Sequence, residues 1–188
     1  MENTIIYLIG FAGTGKYTIA QELCKERDIK LVDNHLINNP VFAVVGADGK
    51  TPLPDSVWVN TWKIRHIVLD SIRDISPKDF SFVFTNCLYH KHDDDYLLFQ
   101  EIVDLADHRN AQFVPVRLGI SEDELVKRRT SEQRKDRMKD TSAENARREY
   151  NETRLIDIEH RNLLDLDVTG ISAADAAKAI LTHIKEMQ

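Results

Sequence analysis

Residues 5–18 read IIYLIGFAGTGKYT, and this stretch decides the fold. Ile5–Ile9 is an unbroken apolar run rich in β-branched residues, which predicts a strand buried on both faces. The turn that follows is rich in glycine, and Thr18–Arg27 after it has apolar residues at helical spacing. A strand, a glycine-rich turn and a helix in this order form the setting in which a phosphate-binding loop works.

The turn also carries the residue types that phosphate binding needs. Glycines let the backbone curl so that its N–H groups point at anionic oxygens, and the helix N-terminus adds partial positive charge. Lys16 adds a mobile charge for the β- and γ-phosphates of a nucleotide. We therefore predict that the phosphates contact Gly10, Ala12, Gly13, Thr14, Gly15, Lys16, Tyr17 and Thr18.

One residue departs from the usual pattern G-x-x-x-x-G-K-[ST]. Tyr17 stands where a serine or threonine normally gives its hydroxyl to magnesium, and Thr18 follows it, so that the motif reads G-K-x-T. In this the chain resembles the small P-loop kinases, because nucleoside monophosphate kinases of the adenylate kinase type carry Gly-Lys-Gly-Thr. The resemblance implies that Thr18 faces the α-phosphate of ATP and that Mg²⁺ is held largely through water.

Composition excludes several classes of protein. The chain has 188 residues, 42% hydrophobic and 30% charged, which predicts one globular domain over 1–188. Its net charge of −6 gives no positive field for nucleic acid or an anionic membrane. No apolar run approaches the roughly 20 residues of a bilayer span. Cys24 and Cys87 fall inside regular elements, so we expect buried thiols in a reducing compartment, the cytoplasm.

Four further apolar runs alternate with helix-length segments: Ile29–Val32, Phe80–Leu88, Phe113–Leu118 and Leu163–Val168. Alternation of this kind predicts an α/β fold in three layers, with a five-stranded parallel sheet, right-handed crossovers and helices on both faces.

The sequence also predicts where several helices begin. Ser56 is the expected cap of a helix to about Ile75, with Val59, Trp62, Ile67 and Ile72 among its apolar positions. A second helix is expected near Asp94–Asp107. Ser121 with Glu124, and Ser172 with Asp175, are the expected starts of two more.

In a sheet of this kind, ligands bind beyond the carboxyl ends of the strands. Asp33 ends the second strand, where shikimate kinases place an acidic residue, and the resemblance implies contact with the acceptor or the metal. The alternative is that Asp33 caps the next helix or turn. His35 is either a general base or acceptor ligand, or a polar loop residue. Asn86, at the end of the third strand, is a candidate contact for the γ-phosphate or the acceptor.

Two segments are expected to cover this edge. Residues 38–55 contain three prolines and two glycines and are interpreted as an insertion over the acceptor. Residues 127–139 contain seven basic and two acidic side chains, an excess of five in an acidic protein. They predict a lid over 130–142, in which Arg134 and Arg137 close over the transferring phosphoryl group. The alternative is a solvated helix face.

Leu125–Arg128 resembles the L-x-x-R segment of these kinases, which implies that Arg128 lies against the adenine ring. The third strand, in contrast, runs FTNCLY over residues 84–89, without the Asp-Gly-Phe-Pro-Arg of adenylate kinases and without a carboxylate at its end. The half of the site that binds the phosphate donor therefore matches the family, and the half that binds the acceptor matches no subfamily.

Two other features favour structural interpretations. The run His90–Asp95 is better explained as a helix start than as a metal site, since consecutive aspartates complement a helix N-terminus. Trp58 and Trp62 lie four residues apart on one helix and favour packing over an acceptor platform.

Together these patterns predict a P-loop kinase. It would use ATP and Mg²⁺ to phosphorylate a small molecule or a nucleotide, with Lys16, Asp33, Arg134 and Arg137 as the catalytic residues. The alternative is a nucleotide-binding regulator or slow ATPase that has no small-molecule acceptor.

Overall fold

A computed structural model describes residues 2–48, 51–131 and 141–187. In these ranges five strands form one sheet: β1 (Thr4–Gly10), β2 (Ile29–Asp33), β3 (Ser81–Asn86), β4 (Gln112–Gly119) and β5 (Leu164–Asp167). The helices there are α1 (Lys16–Glu26), α2 (Asn34–Val45), α3 (Asp55–Asp74), α4 (Asp93–Arg109), α5 (Glu122–Arg129), α6 (Ala143–Glu152) and α7 (Ala173–Glu186).

The strands are ordered β2-β3-β1-β4-β5 and every pair is parallel. Because β1 is central, the chain that leaves it at Gly10 emerges in the middle of the carboxyl edge. Asn86 pairs with Ile9, and Asp33 pairs with Thr85, so the ends of β2, β3 and β1 lie side by side. The predicted five-stranded parallel α/β fold is confirmed.

Alternate residues of β1 pack into two hydrophobic cores, one on each face of the sheet. Both faces of the strand are therefore apolar, which explains its unbroken apolar sequence. Ile6 and Leu8 pack on one face with residues of α1 and α7, and Ile5, Tyr7 and Ile9 pack on the other with residues of α3 and α4. Every residue of β1 is buried. No helix of the described residues combines the length and the apolar character needed to cross a membrane.

The first part of residues 38–55 continues helix α2, and their interpretation as an insertion over the acceptor stays a prediction. Pro40 lies inside that helix and does not end it. The helix is held at both ends, since Asp33 accepts a hydrogen bond from the His35 amide and Gly46 adopts a left-handed conformation with φ of 68°. Ile37 and Val41 anchor its middle in the core.

Helix α3 begins at Asp55 rather than at a Ser56 cap, and its buried face is not the predicted one. Ile72 is buried as expected, but Val59 and Ile67 are 55% and 65% exposed. The buried positions are Val57, Thr61, Arg65, Leu69 and Ile72.

The expected capping box at Ser121 and Glu124 is not formed either. Ser121 makes no side-chain cap hydrogen bond. The carboxylate of Glu124 instead accepts hydrogen bonds from Lys127 and Arg128. The expected cap at Ser172 is confirmed, since its hydroxyl accepts the Asp175 amide at 3.1 Å. The two cysteines are free thiols of intermediate, not full, burial.

Candidate active site

The turn between β1 and α1 has the backbone geometry that the glycines were expected to provide. Gly13 and Gly15 adopt positive φ angles of 110° and 94°, a region that side-chain-bearing residues rarely enter. A Cβ atom at Gly10 would lie 2.8 Å from Thr14 Oγ1, so the loop closes tightly on the end of β1. The N-terminus of α1 therefore begins directly at the predicted phosphate site.

Lys16 is the first residue of α1, and its side chain folds back over the loop. The ammonium group donates to the carbonyl oxygens of Gly10 and Phe11 at 2.6 and 2.9 Å. The buried Thr14 hydroxyl donates to the same Phe11 oxygen at 3.0 Å. The positive charge is thus held at the mouth of the loop, beside the amide of Ala12 that was predicted to contact phosphate.

Tyr17 and Thr18 occupy different surroundings. The Tyr17 hydroxyl accepts a hydrogen bond from Gln21 one turn further along α1, at 3.3 Å. Thr18 lines a cavity of about 240 Å³ together with Gly15, Arg128 and residues of the loop between β5 and α7, among them Ile171. The G-K-x-T spacing therefore brings the threonine to this cavity.

Hydrogen bonds from its guanidinium nitrogens fix the side chain of Arg128. Its nitrogens donate to Glu124 at 2.8 Å, to the Thr14 carbonyl at 3.1 Å and to the Val168 carbonyl at 2.8 Å. Arg128 also lines the cavity of about 240 Å³ beside Thr18. The phosphate loop, α5 and the β5–α7 loop thus meet at this side chain.

Asp33 lies at the end of β2 and is 3% exposed. One carboxylate oxygen accepts the Thr85 hydroxyl at 2.6 Å, and the other accepts the His35 amide at 3.0 Å. The capping role that the sequence left open is therefore present. Contact of Asp33 with the acceptor or a metal stays a prediction of the sequence.

His35 and Asn86 lie at the same edge of the sheet. The His35 side chain is 42% exposed, with Nδ1 3.7 Å from the nearer oxygen of Asp33. Asn86 is 6% exposed and ends β3, between the ends of β1 and β2. Both are positioned at the edge where the sequence placed the site.

A buried polar cluster beside the phosphate loop was missed by the sequence analysis. Glu149 of α6 accepts hydrogen bonds from the Tyr89 hydroxyl and from Arg129 of α5, and the Cys87 thiol lies 4.0 Å from its carboxylate. Tyr89 and Glu149 are 60 residues apart. No local pattern could have joined them.

The protonation of this cluster follows from its burial. Desolvation raises the pKa of the Cys87 thiol, opposed by the charge of Lys16 and the amide of Ala12. Desolvation also raises the pKa of Tyr89, and the neighbouring Cys87 and Glu149 act in the same direction. The Tyr89 phenol therefore stays protonated and donates to Glu149.

Arg134 and Arg137 lie outside the described residues, as does most of the segment predicted as a lid.

Among the described residues, no group of three or more histidine, cysteine, aspartate or glutamate side chains could hold a metal ion. The aspartates of 93–95 form the first turn of α4. Trp58 packs edge-on against Phe42 of α2, with ring centres 5.7 Å apart.

The sequence matches no protein-family model and no curated protein. Solved structures do match over nearly the whole chain. A gluconokinase from Sinorhizobium meliloti aligns with a TM-score of 0.61 at 15% identity, covering 98% of this chain and 93% of that one. A thymidylate kinase from Candida albicans aligns at 0.60 and 14%, covering 99% and 92%. A shikimate kinase from Acinetobacter baumannii aligns at 0.54 and 15%, covering 98% and 96%.

Proposed function

We propose that this chain, which has the fold of the small P-loop kinases, is an ATP-dependent phosphotransferase. The observation that carries the proposal is the turn between β1 and α1. Its two glycines of positive φ, the start of α1 and the Lys16 ammonium group converge on one small volume at the centre of the carboxyl edge. Such an arrangement binds polyphosphate.

In this proposal the donor nucleotide lies across the loop and the cavity beside it. The loop amides and Lys16 hold the β- and γ-phosphates, and Thr18 faces the α-phosphate. The base enters the cavity of about 240 Å³ and stacks on Arg128. The edge contacts of Arg128 with Thr14 and Val168 support this role, because they fix the guanidinium plane before the base arrives.

Transfer itself would depend on positioning and on charge. The γ-phosphoryl group spreads negative charge over its equatorial oxygens in the transition state, and nearby cations stabilise it. Lys16 supplies one such charge, and Arg134 and Arg137 are the sequence candidates for others.

Magnesium supplies further charge neutralisation when it is bound to ATP. Among the described residues no three His, Cys, Asp or Glu side chains lie together as metal ligands, so most of the coordination of Mg²⁺ would come from the phosphates and water. We therefore propose that Mg²⁺ enters with the nucleotide.

The proposal is tested by Lys16→Ala, with Lys25→Ala as the matched control. Both lysines are on α1, but Lys25 is 68% exposed and pairs only with Glu22 among the ion pairs described. Losing the charge-assisted contacts of Lys16 removes roughly 1.5–3 kcal/mol of phosphate binding, so we expect ATP affinity to fall at least tenfold in calorimetry with Mg²⁺. Transfer to an acceptor should be abolished while the ligand-free melting temperature changes little.

Lys25→Ala should bind ATP as the unmodified protein does. Unchanged ATP binding and turnover in Lys16→Ala would refute the proposal. Stabilisation by nucleotide without any acceptor that raises ATP consumption would favour a nucleotide-binding regulator or slow ATPase instead.

A further inference from the structure

We infer that Tyr89, held by Glu149, is a positioning residue for the turn between β1 and α1, and that it acts through the ring of Phe11. The inference rests on the proposed function, because it concerns how that turn is kept in the conformation that binds phosphate. It is carried by a series of contacts that runs from α6 through Tyr89 to the backbone of the turn. Tyr89 and Glu149 both lie outside the motif G-x-x-x-x-G-K.

The carbonyl group of Phe11 closes the turn. Its oxygen accepts three hydrogen bonds, from the Thr14 amide at 3.2 Å, from the Thr14 hydroxyl at 3.0 Å and from the Lys16 ammonium group at 2.9 Å. Gly13 lies inside this turn with a φ of 110°, which only glycine adopts readily. A displacement of Phe11 would therefore shift the backbone amides of the turn and the Lys16 side chain together.

The side chain of Phe11 is in contact with two tyrosines. It is 9% exposed, and its ring centre lies 6.3 Å from that of Tyr89 and 5.9 Å from that of Tyr150. Aromatic rings attract one another at these distances. Phe11 occupies an x position of the motif, where the motif specifies neither an aromatic ring nor its partners. The contact therefore adds a constraint on the turn that the motif alone does not provide.

Helix α6 controls the position of both tyrosines. Tyr150 belongs to this helix, and the preceding residue, Glu149, accepts a hydrogen bond from the Tyr89 hydroxyl through one carboxylate oxygen. Arg129 of α5 donates to the other oxygen of Glu149, which fixes the carboxylate. The backbone amide of Tyr89 donates to Asp95 at 2.7 Å. Tyr89 is thus held at its backbone and at its hydroxyl, so its ring has little freedom to move.

A turn that already has its bound conformation loses less conformational entropy when phosphate binds. The amides of the turn and Lys16 act on the polyphosphate and not on the base in the proposed function. Neither Phe11 nor Tyr89 lines the cavity of about 240 Å³ beside Thr18 that would receive the base. The contribution of Tyr89 should therefore fall on the binding of the phosphates.

The first experiment measures two dissociation constants by calorimetry on the full chain with Mg²⁺, one for ATP and one for inorganic tripolyphosphate, which has no base. Tyr89→Leu removes the ring and the hydroxyl, and we expect both Kd values to rise about tenfold. Phe99→Leu is the matched control, because Phe99 also contacts two rings, those of Tyr7 and Phe113, in the core that contains Ile5 and Ile9. Both variants should melt at a lower temperature, but Phe99→Leu should keep the original Kd values.

Three results would overturn the inference. The first is unchanged binding of both ligands by Tyr89→Leu, and the second is an equal rise in the Kd values of Phe99→Leu, which would mean that lost stability alone weakens binding. The third is a rise for ATP without a rise for tripolyphosphate, because the effect would then lie at the base. If the unmodified protein bound neither ligand, the proposed function would fail instead, so the two failures are distinguishable.

The second experiment is a double-mutant cycle that tests the route through Phe11. Phe11→Leu should by itself raise the Kd for tripolyphosphate. If Tyr89 acts through the ring of Phe11, adding Tyr89→Leu to Phe11→Leu should raise this Kd by less than about twofold, because contacting residues are not additive. A double variant that shows the full product of the two single effects would mean that the two residues act independently, contrary to the inference.

Tyr89→Phe tests the part played by Glu149 in a variant that keeps the ring and therefore the packing. It loses only the hydrogen bond from the hydroxyl to Glu149, so we expect the Kd for tripolyphosphate to rise by about threefold, less than in Tyr89→Leu. This variant also provides the test if Tyr89→Leu does not fold. An unchanged Kd in Tyr89→Phe would contradict the role given to Glu149.

Discussion

Gly10 shows how one residue constrains the turn between β1 and α1, the predicted phosphate loop. Any Cβ atom there would lie 2.8 Å from Thr14 Oγ1 and 3.2 Å from the Leu118 side chain. We expect Gly10→Ala to displace Thr14 and the loop, which lowers ATP affinity at least tenfold and the free energy of unfolding by about 1–3 kcal/mol. Calorimetry and urea unfolding measure the two effects.

Gly119→Ala is the matched control for Gly10→Ala, since its new Cβ atom would meet nothing closer than 3.8 Å. It should leave both quantities nearly unchanged. If Gly10→Ala bound ATP normally, the close approach of Gly10 and Thr14 would not matter for nucleotide binding.

Glu149 is the second residue whose replacement should have a large effect. Its carboxylate neutralises Arg129, whose side chain is 6% exposed. Glu149→Leu would remove the carboxylate that contacts both the buried Arg129 guanidinium group and the Tyr89 hydroxyl, at a cost of about 3 kcal/mol in the free energy of unfolding. Urea unfolding tests this, with the exposed Glu152→Leu on the same helix as the control. A change of less than 1 kcal/mol would mean that the ion pair contributes little net energy.

At the scale of the elements, two serines in similar sequence positions should contribute differently to the free energy of unfolding. The Ser172 hydroxyl accepts the Asp175 amide at the start of α7, whereas Ser121 makes no such bond at the start of α5. Ser172→Ala should therefore lower the free energy of unfolding by about 1 kcal/mol, and Ser121→Ala should leave it almost unchanged. Thermal unfolding of the two variants side by side gives the comparison, and equal losses would contradict the assigned caps.

The spacing of apolar residues predicted where helix α3 lies but not which of its faces is buried. Its length was close to the prediction, but apolar Val59 and Ile67 face solvent while polar Thr61 and Arg65 are buried. The buried polar groups have partners, since Thr61 donates to the Trp58 carbonyl and Arg65 to Glu101. The partner of Arg65 lies on another helix, so no reading of α3 alone could reveal that this arginine belongs inside.

At the scale of the whole molecule, burial of ionisable groups in the sheet makes stability depend on pH. Burial raises the pKa of Tyr7, which is fully buried between the sheet and α4, and burial raises that of Tyr89. Above the usual tyrosine pKa of about 10 the unfolded chain loses these protons while the folded chain keeps them, so the folded state loses stability as pH rises.

Tyr7→Phe tests this dependence directly. The free energy of unfolding should decrease between pH 8 and 11 in both proteins, but by about 1.4 kcal/mol less in Tyr7→Phe. The reason is that the unfolded variant has no Tyr7 hydroxyl proton to lose. Urea unfolding at several pH values measures the slope. The same slope in both proteins would show that Tyr7 ionises normally in the folded state.

The sequence by itself determined the parallel α/β class, the number of strands and the turn between β1 and α1, because these depend on patterns among residues that are neighbours in the chain. Residues 5–18 were sufficient to place Lys16 and the two glycines of positive φ at the start of α1. Only the tertiary structure joined Glu149 to Tyr89 and Arg129, and Arg128 to the Thr14 carbonyl. The residues that form these contacts are 20 to 114 positions apart in the chain. No local pattern predicts such contacts, because they form only when the strands pair and the helices pack.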